Sequence, residues 1–363
     1  MPALAVIGVL VTASTIASAE GCGTWVRLSA DDPGSFSDLS GLAIVSPTDI
    51  WTIGGGGFQH SAGGGFALVA APLLGALRGG PRAISADAWN DVWAVGQRAP
   101  AQSYPPTSTL VEHFDGSSWA VVASPSPDAR SNSLSGVVAL APNNVWAVGQ
   151  SANRALIEHF DGSSWSVASN PAPGGRSQLY AVAAAAPTSV KAVGYFIDPG
   201  GVLRPLVLSY DGSAWSRDAT PASGANLPAP LIAITHVPSS THYIATGGST
   251  AQSILRYDGA AWSSQPGAGT PFRGDVQEEG SVYSVDAISD ADVWLVGAYY
   301  GSASMLYALQ PFALHSGGSG WTSTFSTFSV SSGASALETV GHAGTAMYVT
   351  GYYSPTPSSY GQV

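Results

Sequence analysis

Charge is the first thing this sequence lacks. Of 363 residues, 12 are Lys or Arg and 23 are Asp or Glu, about 10% in all, where soluble domains usually carry ~25%. Lys191 is the only lysine, and the formal net charge is −11. A nucleic-acid binder needs a basic stripe to displace counterions from phosphates, so no nucleic-acid partner is expected. Cysteine is nearly missing too. Cys22 stands alone, which excludes an internal disulfide and leaves burial to hold the fold. Long apolar runs are absent beyond the N-terminus: FALVAAPLLGAL (66–77) contains Pro72 and falls short of the ~20 residues a spanning helix requires. No membrane span is expected.

What is present is small and polar. Gly 44, Pro 25 and Ser 51 make up about a third of the chain, a share that signals low complexity unless it is periodic. Hydrophobic residues at 45% and 11 Trp supply material for a core. Residues 1–19, MPALAVIGVLVTASTIASA, form an apolar stretch ending in Ala17-Ser18-Ala19, the pattern of a signal peptide with an A-x-A-like cleavage site, although the basic n-region is missing. The expectation is a secreted or cell-surface protein whose mature part, 20–363, is one domain acting as a monomer. Cys22 follows the cleavage site closely enough to raise acylation, but Ala19-Glu20-Gly21 lacks the large aliphatic residue such a site starts with.

The period exists. One word, usually a tryptophan followed three residues later by glycine, occurs as Trp51…Gly54, Trp93…Gly96, Trp146…Gly149, Lys191…Gly194, Ile244…Gly247, Trp294…Gly297 and Tyr348…Gly351, spaced 42, 53, 45, 53, 50 and 54 residues apart. A second word, D-G-x-x-W, ends at Trp119, Trp165, Trp215 and Trp262, with a degenerate copy at Trp321. Each unit reads as four short strands. LSGVVALA (134–141) is apolar on both faces, as a crowded inner strand should be; a Pro-Asn-Asn turn leads to VWAVG, a variable loop to ALIEHF, and Asp161-Gly162 to SSWSVA. The D-G pair reads as a two-residue type I′ turn.

Four-stranded units at ~50 residues indicate an all-β propeller. Seven copies predict a seven-bladed β-propeller of four-stranded antiparallel blades. GCGTWVRL (21–28) reads as a fourth strand completing the last blade, which stops after its second strand and would otherwise leave an exposed edge. The first blade reads as IWTIGG, FALVAA and LLGALRG.

The pairing of W-A-V-G with L-x-E-H-F-D-G-S-S-W resembles kelch-like propeller repeats and is similar to secreted bacterial repeat proteins with such blades. The resemblance covers nearly all of residues 21–363 and implies fold more than activity, since propellers host unrelated functions. Kelch enzymes of the galactose-oxidase kind hold copper with Tyr and His beside a cross-linked Cys; the sole cysteine here is N-terminal, and nothing carries over. Sialidase Asp-boxes are one residue longer than D-G-x-x-W, and no three-arginine clamp is assignable. No cofactor, metal or catalytic residue is expected on these grounds.

Candidate residues follow from topology. Glu112-His113 and Glu158-His159 recur at one repeat position and so read as serving the blade. The loops after strands two and four open on one face, opposite the tight turns, and binding residues concentrate on such loops. Loops after strand two carry Tyr104, Tyr195, Phe196, Tyr299, Tyr300, Tyr352 and Tyr353; those after strand four carry Arg130, Arg176 and Arg273. Aromatic and arginine side chains there suit a glycan or protein ligand. Two alternatives compete: a polysaccharide hydrolase or lyase, needing paired carboxylates in the axial channel with Asp275, Glu278 or Glu279 as sources, and a purely structural extracellular repeat.

Overall fold

The computed structural model describes residues 8–11, 25–28, 39–54, 57–63, 65–72, 77–100, 106–220, 230–247, 253–266, 280–300, 309–318, 321–323 and 334–354. Regular structure among them is β-strand throughout. Six blades are each built from four consecutive antiparallel strands: 39–69, 77–122, 132–167, 177–217, 231–266 and 280–323. The third is the clearest, with Asn132–Ala141, Asn144–Ser151, Arg154–Phe160 and Trp165–Val167 running from axis to rim.

The seven-bladed reading is corrected here. Six blades, not seven, are formed from contiguous chain, and closure does not rest on one N-terminal strand. The remaining sheet is a composite, ordered Ala334–Ala343, Ala346–Ser354, Gly8–Val11, Trp25–Leu28. Gly8–Val11, from the segment read as a leader, pairs with both Ala346–Ser354 and Trp25–Leu28. The third strand that the C-terminal half lacks is thus supplied from the N-terminus, so each end contributes two strands. The first blade also differs: its third and fourth strands are Gly57–Ser61 and Ala67–Val69, while LLGALRG runs into Leu77–Ala88, the inner strand of the second blade.

The D-G words do not make two-residue turns. Phe114 pairs with Trp119 and Phe160 with Trp165, so the loops span four residues. Gly116 and Gly162 take φ of 92° and 94°. Asp161 keeps its side chain for the loop, its Oδ1 accepting from the N–H groups of Ser163 and Ser164, as Asx residues do. The positive-φ pair lies elsewhere, at Ala152 and Asn153 (50° and 62°), between paired Ser151 and Arg154. In the third blade the expected variable loop is therefore a tight turn.

Neighbouring sheets bury seven apolar clusters, one at each interface. The two sequence words meet there, across blades rather than within one. Trp93 stands edge-on to Trp165 of the next blade at 5.5 Å, and Trp51 and Trp146 meet Trp119 and Trp215 in the same way. Lys191 replaces the tryptophan in the fourth blade. Its buried ammonium lies 3.8 Å from the Tyr257 ring centroid and donates to Asp218 at 2.9 Å, while Trp262 Nε1 donates to the same carboxylate. A cation–π contact and an ion pair thus stand in for the aromatic pair.

The glycine of W-x-x-G has a steric reason. A Cβ on Gly149 would sit 2.0 Å from the Ser133 carbonyl oxygen, and one on Gly194 would sit 1.9 Å from that of Gln178. Each inner strand is bulged beside this contact, and the pressing backbone has no space to retreat. Gly149→Ala is expected to lower stability by about 2–3 kcal/mol through overpacking. Gly174→Ala, where an added Cβ meets nothing within 4 Å, is expected to stay within about 0.5 kcal/mol. Chemical denaturation of both variants checks the difference.

Candidate functional site

Every inner strand carries a bulge at its loop-face end, opposite the second-strand glycine. One residue is left unpaired each time: Ser40, Arg82, Ser135, Tyr180, Ile232, Tyr283 and Glu338. Bulges re-aim side chains, and all seven residues line one axial cavity of about 350 Å³. The ring is lopsided. Tyr180, Ile232 and Tyr283 come from three successive blades; Glu338, Ser40, Arg82 and Ser135 fill the rest with charge and hydroxyls. None of the seven stood among the sequence candidates.

Those candidates lie around this mouth in different ways. Tyr195 is half-buried and sits 6.0 Å, centroid to centroid, from Tyr180, which ties one loop residue to the ring. Burial raises the Tyr180 pKa, and Tyr195 adds to the effect. Phe196 instead packs outward under Arg217, 5.4 Å from its ring. Arg130 and Arg176 are exposed, and their carbonyls accept from Thr107 N–H and Ile197 N–H. Tyr299, Tyr300, Tyr352 and Tyr353 end the strands Asp292–Tyr300 and Ala346–Ser354; their side chains, with Tyr104 and Arg273, lie outside the described residues, as do Asp275, Glu278 and Glu279. Of the described residues lining the channel cavity, Glu338 alone carries a carboxylate, whereas glycosidic chemistry takes two.

The repeated histidines sit at the opposite, turn-side end. His60, His113 and His315 stack on the tryptophan of their own blade and pair with Asp49, Asp91 and Asp292 two residues before it. His159 meets Asn144 in that role, and burial lowers its pKa. Among the described residues no three His, Cys, Asp or Glu side chains gather as metal ligands, and no helix is long and apolar enough to cross a membrane.

Glu112 and Glu158 face inter-blade interiors. Both are fully buried; Glu158 has neither oxygen partnered, and Glu112 Oε2 has no partner. Burial pushes the Glu158 carboxyl up to about 8 and that of Glu112 to about 7, the latter against the pull of Arg98. Between the ordinary value of 4.5 and these raised values the folded chain holds protons that the unfolded chain has lost, so stability falls as pH rises across that window. The melting temperature is expected to drop between pH 5 and pH 8. Glu158→Gln should flatten the drop and stabilise the fold at pH 8 by on the order of 4 kcal/mol. Melts at matched ionic strength measure this, and an unchanged slope in the variant contradicts it.

No family profile and no curated protein matches the chain. Solved structures do. "YCF48 bound to D1 peptide" superposes with a TM-score of 0.55 at 15% identity over 87% of this chain and 91% of that one. "Structure of U3-55K" does so at 0.53 and 9%, over 88% and 96%. "Crystal structure of RRP9 WD40 repeats" gives 0.50 and 8%, over 88% and 96%. At such identities the likeness concerns the fold alone, and it agrees with the ring of four-stranded sheets: this chain is a β-propeller with WD40-like structural neighbours.

Proposed function

We propose that this propeller is a non-catalytic binding module that receives a segment of a protein partner at the channel mouth on its loop-rich face. The bulge ring carries the reading. Seven backbone distortions, each opposite the glycine of a second strand, present side chains of five kinds, Ser, Arg, Tyr, Ile and Glu, at one structural position. A frame held constant while its presented residues vary is what recognition requires. The aromatic half suits an apolar side chain, and the Glu338–Arg82 half suits polar backbone or charge. A peptide lies against YCF48, a propeller similar to this one, which supports a peptide over a glycan. Kelch-like blades and a place outside the cytoplasm belong to the same proposal.

Peptide-library selection against the purified protein, run beside a glycan array, tests it. Selected peptides are expected to bind the parent and to lose at least tenfold, about 1.4 kcal/mol, in Tyr180→Ala or Tyr283→Ala at an unchanged melting temperature. Glycan binding without peptide binding, or peptides indifferent to both changes, overturns the reading. Localisation has its own measurement: the intact mass of the mature chain. A start at Glu20 supports export through a cleaved leader and removes Gly8–Val11 from the composite sheet, whereas retention of residues 8–11 overturns cleavage there.

A further inference from the structure

A second cavity, of about 370 Å³, opens between the first and second blades. Four of the ten described residues that line it are glycines. Gly54, Gly57, Gly79 and Gly80 line it together with Phe58 and Pro81, and a Cβ added at Gly57 or Gly80 would meet nothing within 4 Å. Glu112 also lines it, 1% exposed and with Oε2 lacking any hydrogen-bond partner. A buried carboxyl without a partner is costly and needs an explanation.

Comparison with the next interface supplies one. Glu158 holds the same repeat position in the third blade and is buried to the same degree. Around that interface, however, the segment between the second and third blades is tied down. Ser124 and Ser126 bond to Thr109, and the Asn132 amide donates to the Thr107 carbonyl. Among the described residues, which leave out 73–76 of the joining segment, no equivalent serine and asparagine clasp spans the glycine-lined gap beside Glu112. The first interface keeps a pocket that Glu112 helps to line.

We propose that this inter-blade cleft is a binding site for a ligand's cationic group, a primary ammonium or guanidinium on a slender stem, received by the Glu112 carboxylate. The volume accommodates a group the size of a lysine or arginine side chain. Glycine backbone lets the stem approach closely, and Phe58, stacked on Trp119 behind it, contributes apolar wall. Pairing with a cation supplies the missing partner to the buried carboxyl. Arg98, on the second strand of the same blade, is the charged neighbour acting on Glu112 and is not among the cleft-lining residues.

Ligand-observed NMR and calorimetry at pH 8 test this with n-butylammonium, n-butylguanidinium and uncharged n-butanol as probes. The two cations are expected to bind the full chain and n-butanol is not. Glu112→Gln, which keeps shape and removes charge, should weaken the cations at least tenfold. Gly80→Leu, which fills the space without touching the carboxyl, should do the same, while Glu158→Gln binds as the parent does. Equal binding by Glu112→Gln, or no cation binding by the parent, overturns the assignment. The channel-mouth reading is untouched by either result, because the probes and variants avoid Tyr180 and Tyr283.

Discussion

The contact between the glycine ending each second strand and the backbone of the adjoining inner strand governs what this molecule can present. At Gly149 the opposing carbonyl leaves no room for a single carbon atom. The close approach accompanies a bulge one residue further along the inner strand, and the bulge turns that residue into the channel. A repeated steric demand on one strand thus becomes a ring of freely chosen side chains on another. This separates the part of the sequence that maintains the fold from the part available for recognition, and in the third blade the two, Gly149 and Ser135, lie 14 residues apart.

Holding the sheets around that axis is a second, inter-blade logic. The tryptophan of one blade packs on the hairpin tryptophan of the next, so the repeat is completed only by its neighbour. Lys191 shows how far the position tolerates change: its charge is accommodated because Tyr257, Trp262 and Asp218 surround it. Closure obeys the same demand. Two strands from each end build the composite sheet, and among the described residues its contact with the first blade rests on buried Ile50, Phe66 and Tyr348.

Much of the fold was legible because it is periodic. The words around Trp93, Trp146 and Asp161 gave strand order, turn-side face and small inner strands directly. The misreadings have local physical causes. Asp161-Gly162 looked like a two-residue turn because the residue pair fits one, but the aspartate side chain captures two further N–H groups and widens the loop. Gly8–Val11 looked like part of a leader because an apolar strand and an apolar leader share composition. The candidate site was less legible. Residue type points to tyrosine and arginine on the loops, whereas the ring is defined by position, holding Ser, Arg, Tyr, Ile and Glu alike. A usable signal was present: Ser40, Arg82, Ser135, Tyr180 and Tyr283 each stand eleven residues before the first letter of their W-x-x-G word.

The claim that the bulge ring is the binding surface is tested most directly by site-specific photo-crosslinking. A photoreactive phenylalanine analogue is placed at Tyr180 or Glu338 in the ring and, as controls, at Ser117 or Ser163 in the D-G loops of the opposite face. Partner adducts from Tyr180 and Glu338 alone are the expected result. Adducts arising from Ser117 and Ser163 but not from the ring would contradict it.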